Sequence, residues 1–274
     1  MRRVAWALVS LTVLLAGCAD ATSRTGAPSP SASPTAAAPP TGADALAVIE
    51  ASAAGQWAKD GDGLGDPPTM PPAADAHAVD TAYSYARTWL SKAMLEPAAW
   101  HGDGSSWLRV VDRPDAKQLT ADVAPGGEAY LWLNAFAPGW RVVGDPRVSG
   151  SFVTGTESRK GETVVAVTWR GTAVYAVEDP QGRGTVVPVF REVTWFWWDG
   201  SARPGYDSWG KVGNDDLCAR AATGRLAPVP GDLDLPETYL FPATLVRQTD
   251  SEVAEQEAEE AACPPHATDG ATTG

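Results

Sequence analysis

Cysteine, histidine, one Ser-x-x-Lys spacing and a few carboxylates carry most of the reactive chemistry in this chain. Cys18, Cys218 and Cys263 are its three thiols, each open to acylation, pairing or metal binding. His77, His101 and His266 fall in loops or in the tail. A catalytic imidazole needs an orienting carboxylate and a reacting partner, so surface histidines are expected. Ser208-Trp-Gly-Lys211 has the spacing of an acylating serine with its lysine. That pair belongs at the start of a helix and has Ser-Asp-Asn and Lys-Thr-Gly companions; here it sits on a predicted strand and neither companion occurs. Asp60, Asp62 and Asp66 with Gly65 approach a calcium loop, but Leu64 takes a ligand position and Pro71 replaces the bidentate Glu. Asp215-Asp216 reads as a solvated turn or helix cap. No Gly-x-Ser-x-Gly elbow, phosphate loop or zincin motif occurs. No catalytic residue, metal or cofactor is therefore expected.

Tryptophan is the unusual signal, with 12 in the chain. On the run 163–177, Val165, Val167, Trp169, Ala173, Tyr175 and Val177 alternate with Thr168, Arg170 and Thr172, the period of a half-buried strand. Trp195 and Trp197 share a face with Val187 and Val193. Together with Trp89, these rings suggest two arrangements. They fill the core, or Trp89, Trp169, Tyr175, Trp195 and Trp197 line a pocket for a small apolar ligand, a glycan or an envelope protein. Arg170 and Arg191 would put positive charge into such a pocket, or else pair outside with Glu162, Glu178 or Glu192.

The elements around these residues begin with a helix over 79–95. Val79, Ala82, Tyr83, Ala86, Trp89, Leu90 and Ala93 make one apolar face, and Pro97 stops it. A short helix is predicted within 45–57. Strands are predicted at 107–111, 129–136, 140–143, 148–154, 163–177, 185–198 and 206–212, bounded by Gly, Pro and Asp. Gly171 suggests a bulge or bend. A short helix at 216–224 and an acidic one at 252–262 follow. The expected class is α+β, with an N-terminal helix packed on a curved antiparallel sheet. Helix first, then long hairpins, then Asp199-Gly200 and Trp209-Gly-Lys-Val212, resembles the NTF2-like or cystatin-like cone folds over 79–213. That resemblance implies a pocket between helix and sheet. A small β-sandwich or barrel is the alternative.

Leu15-Ala16-Gly17-Cys18 closes a short apolar run, Val4 to Leu15, that starts from Arg2-Arg3. It resembles the lipobox of bacterial lipoproteins, and the Arg-, Ala-, Gly- and Pro-rich composition resembles the high-GC Gram-positive type. The resemblance implies a signal peptide at 1–17 and a diacylglyceryl group, with palmitate-type chains, on Cys18. The run falls short of the about 20 residues that span a bilayer. Residues 18–43 form a Pro/Ser/Thr/Ala tether that cannot bury a core. Its mean span as a coil is roughly 25–30 Å. An irregular lead-in at 44–78, a globular domain at 79–247 and an acidic tail at 248–274 complete the expected organisation.

With Cys18 lipidated outside the cytoplasmic membrane, Cys218 and Cys263 form an even pair in an oxidising compartment, which favours a disulfide. Two free thiols or a Cys263/His266 half-site are the alternatives. A net charge of −13 argues against nucleic acid and against adsorption on anionic lipid. The expected partners are therefore the bilayer, through Cys18, and a ligand or envelope protein. The resulting expectation is a non-enzymatic binding lipoprotein on the outer face of the cytoplasmic membrane, with a cell-envelope hydrolase as the alternative.

Overall fold

Alternation along two long strands organises the molecule. The computed structural model describes residues 38–70, 75–111, 119–124, 127–159, 161–197, 204–241, 244–245, 247 and 249–263. Cys18, Trp198 and His266 lie outside them. Strands β1 (Arg141–Val142), β2 (Arg147–Arg159), β3 (Glu162–Glu178), β4 (Gly184–Trp197) and β5 (Pro204–Val212) form one antiparallel sheet. Both β1 and β2 pair with the same side of β3, β4 lies on the other side, and β5 is the edge. The class is α+β, with an open sheet in place of a sandwich or barrel.

The register of β3 on β4 runs unbroken from Val165↔Trp197 to Glu178↔Gly184. Odd-numbered residues of both strands therefore share one face. Pairing is also continuous at Gly150↔Gly171 and Gly171↔Arg191, so Gly171 is not a bulge. A Cβ on Gly150 or on Gly171 would lie 2.5 Å from the Trp169 indole. The two facing glycines clear space for that ring, whose Nε1 donates to the Leu64 carbonyl at 2.8 Å.

Helix α1 (Gly42–Ala51) opens with a Thr41/Asp44 capping box. It buries Ala45 and Ile49 on the even face against Val174, Ala176 and Val186. Together with the 3₁₀ turns Ala53–Gln56 and Gly61–Leu64, it gives the 44–78 stretch more order than an irregular lead-in. Helix α2 (Ala76–Leu90), capped by Asp75, lies on the odd face. One π turn at Ser91–Leu95 extends it before α3 (Pro97–Trp100).

Two of the strands expected from sequence do not form. Trp107 sits in a helical turn, α4 (Ser105–Leu108), and Ala129–Leu131 is a 3₁₀ turn. Short aromatic runs fit either period, and the carbonyls of the second segment turn inward to a cation described below. Later come α5 (Leu217–Thr223), a single turn at Glu237–Leu240, and α6 (Asp250–Ala261). Cys218 and Cys263 are disulfide-bonded, with Cα atoms 5.3 Å apart. No helix among the described residues is long and apolar enough to cross a membrane.

Candidate functional site

The space between α2 and the sheet is filled by the aromatic residues that were expected to line a pocket there. Trp89, Trp169, Tyr175 and Trp195 are at most 1 % exposed and Trp197 is 8 % exposed. Trp89 meets Trp107 and Trp195 edge-on at 5.4 and 5.7 Å, an arrangement ring quadrupoles favour. These five residues are core, and the ligand pocket proposed for them is occupied by their own side chains. The two arginines grouped with them lie on opposite faces of the sheet. Arg170, an even position, points away from α2, 3.7 Å from Glu192 and over the Phe190 ring. Arg191, an odd position, points inward and is 5 % exposed.

Arg191 is the hub of a buried polar network. Its Nε donates to Asn134 Oδ1 at 2.9 Å. Its Nη1 donates to the Leu131 carbonyl at 2.9 Å, and Nη2 donates to those of Tyr130 and Leu133 at 2.9 and 3.1 Å. These bonds explain why 129–133 turns instead of extending: its carbonyls converge on one guanidinium. Asn134 in turn donates to the Tyr175 hydroxyl, which donates to the Met94 carbonyl in the π turn, both at 2.7 Å. Burial pushes the Arg191 guanidinium down to about 10 and the Tyr175 hydroxyl well above its ordinary value. No carboxylate pairs with Arg191 among the described residues. A buried cation held only by neutral acceptors is costly and marks a site worth following.

Arg191 forms part of the wall of a cleft of about 530 Å³ beside the edge strand. Tyr130, Leu131 and Trp132 form one wall, and residues 208–212 of β5 form another. Asp215 precedes α5, Arg220 lies on it, and Gln256 and Glu259 reach in from α6. Trp132 is fixed from behind, its Nε1 donating to Asp122 Oδ2 at 2.9 Å and its ring meeting Tyr206 edge-on. Arg220 donates to Asp215 Oδ2 at 2.9 Å and to Glu260 Oε1 at 3.1 Å, with its guanidinium over the Tyr130 ring. Burial pushes the Asp215 carboxyl up to about 6, against the opposing pull of Arg220 and the Ala227 N–H. Cleft, cation and aromatic walls can bind, and they offer a hydrogen-bond acceptor a positive wall.

The chain matches no protein-family model, no curated protein and no solved structure.

The remaining candidates resolve locally. Ser208 pairs with Val193 on the odd face, whereas Lys211 pairs with Phe190 on the even face, so three-residue spacing on a strand separates this serine from its lysine. Asp60 caps its own 3₁₀ turn and Asp62 reaches Arg87; no cluster fit for a metal occurs among the described residues. Asp216 caps α5 by accepting from Ala219 N at 3.0 Å. His77 and His101 are exposed. Sequence reading missed Tyr130, Trp132 and Asp215 as parts of one site. The available signal was Arg191 itself, a charged residue in register with Val187, Val189, Val193 and Trp195.

Proposed function

We propose that this chain is a lipoprotein of the cell envelope, acylated on Cys18 and held at the outer face of the cytoplasmic membrane, whose folded part is a non-enzymatic binding module. The residues between Cys18 and Pro40, where the folded unit begins, serve as its spacer, shorter than the 18–43 expected from sequence. The helix-then-hairpins order supports relating the fold to the NTF2-like or cystatin-like cones. Because Trp89, Trp169 and Trp195 fill the interior, the binding surface is the cleft beside β5. Its partner is an envelope protein or ligand that presents a hydrogen-bond acceptor to Arg191. The observation that carries this reading is a cleft wall holding a buried guanidinium without a carboxylate partner among the described residues. A hydrolase reading would rest on Asp215, but both of its oxygens are engaged, by Ala227 N at 2.6 Å and by Arg220, so it takes second place.

Photo-crosslinking in the membrane-bound state tests this. A crosslinking residue at Ser208, inside the cleft, should capture a discrete adduct. The same residue at Asp80, exposed on α2, should not, and Cys18→Ser should abolish palmitate labelling and empty the membrane fraction. Equal capture from both positions, or labelling that survives Cys18→Ser, would remove the reading.

A further inference from the structure

Arg225 follows the αL residue Gly224 that ends α5. Its main chain is pinned on the C-terminal side. Leu226 N donates to the Ala135 carbonyl at 2.8 Å, and the Leu226 carbonyl accepts from Ala137 N at 2.7 Å. The side chain is therefore directed, and it crosses directly over Gly102. A Cβ at Gly102, where φ is +77°, would fall 1.2 Å from Arg225 Nη1. That turn tolerates no side chain while the guanidinium stays in place.

The guanidinium has an unmet requirement. Arg225 Nη1 is buried and has no hydrogen-bond partner, and burial lowers the side chain's pKa. Leaving a charged donor dry and unpaired costs more than leaving a neutral one so, and such a group calls for an explanation.

Beside it lies a second cavity of about 530 Å³, separate from the β5 cleft. Its wall includes His101, Phe136, Trp140 and Arg225. Phe136 is buried and Trp140 half-buried. The wall carries an arginine and a histidine and no carboxylate. In a chain with 34 acidic against 21 basic side chains, that is a local inversion of charge. Cation and rings together define a ligand with an anionic head and a flat apolar body.

We infer that this second cavity binds a small organic carboxylate, with the carboxylate against Arg225 and His101 and a planar apolar group against Phe136 and Trp140. The inference is independent of the β5 cleft, since the two cavities share no lining residue.

Calorimetric titration of the full chain in detergent with benzoate is the test. Saturable one-to-one binding is expected, with benzylamine (the same ring with the opposite charge) failing to bind. Inorganic phosphate, an anion without a ring, should bind at least tenfold more weakly than benzoate. Arg225→Met should weaken benzoate at least tenfold. Ala222→Trp places bulk at an exposed position of the cavity wall, leaves Arg225 intact, and should abolish binding with the melting transition unchanged. Non-saturable heats would overturn the inference, as would benzylamine binding comparable to benzoate, or benzoate affinity unchanged in a folded Ala222→Trp protein.

Discussion

At the scale of single residues, Arg191 does two jobs that pull against each other. It gathers the Tyr130, Leu131 and Leu133 carbonyls and Asn134 into one turn, and it keeps an unneutralised charge beside the β5 cleft. Arg191→Met removes the donor and leaves four acceptors unpaired, two of them buried and two partly buried. A loss of roughly 3 kcal/mol or more in urea unfolding is expected, and a loss below about 1 kcal/mol would mean the carbonyls find water instead. Asp215 gives a pH signature. Its folded carboxyl is raised to about 6 from an ordinary value of 3.8, so its contribution to stability is complete below about 4 and is lost as pH rises through about 6. Asp215→Asn cannot titrate. The stability of wild type relative to Asp215→Asn should therefore increase as pH falls from 7 to 4, read as paired melting curves; a difference independent of pH would refute the raised carboxyl. Arg191's inward aim was legible from its odd register. That Arg170 faces the other way follows from the same parity. What parity does not encode is whether an indole becomes core or surface, because both choices place it on the same face.

At the scale of elements, the sequence located α2 to within a few residues of its start and β3 to β5 nearly to their ends, whereas β2, expected over 148–154, runs on to Arg159. Long runs with one clear period constrain themselves. The turn within 129–136 is not legible locally because its conformation is set from a distance, by a guanidinium about sixty positions later in the chain; the 107–111 run instead turns helical, with Trp107 packed on Trp89. Helix α6 is an opposite case. Its sequence announces it, yet little packing holds it. Most of its residues are exposed, and a 12-residue helix is marginal alone. The Cys218–Cys263 bond and the Arg220–Glu260 pair, N to O at 3.1 Å, tie it down. In the chain-entropy model a closed loop of this length stabilises by about 4 kcal/mol. Reduction should therefore release α6 first: amide exchange across 250–261 should become fast while the β3–β4 core stays protected. Unchanged protection after reduction would show that packing, not the bond, holds the helix.

At the scale of the whole molecule, residues 38 onward fold as one compact unit, and both faces of its sheet receive helices. The order of helix and hairpins was legible. The placement of cavities at the periphery, in place of the interior, was not, since it depends on how completely the aromatic side chains fill the space under α2. The chain enters this unit at a fixed point. Gly184 N donates to the Pro40 carbonyl at 2.7 Å, where β4 begins. A Cβ on Gly184 would collide with the Thr41 carbonyl. From Gly184 to Arg191 is seven residues of strand, or about 23 Å. If Cys18 is acylated as proposed above, its tether would confine the cleft to a shell a few nanometres deep. Within such a shell, a partner anchored in the same membrane experiences an effective concentration that can reach the millimolar range for short flexible linkers. An intrinsic affinity that looks negligible in dilute solution would then leave the cleft mostly occupied by neighbours in the same leaflet and mostly empty toward the same molecule free in the medium.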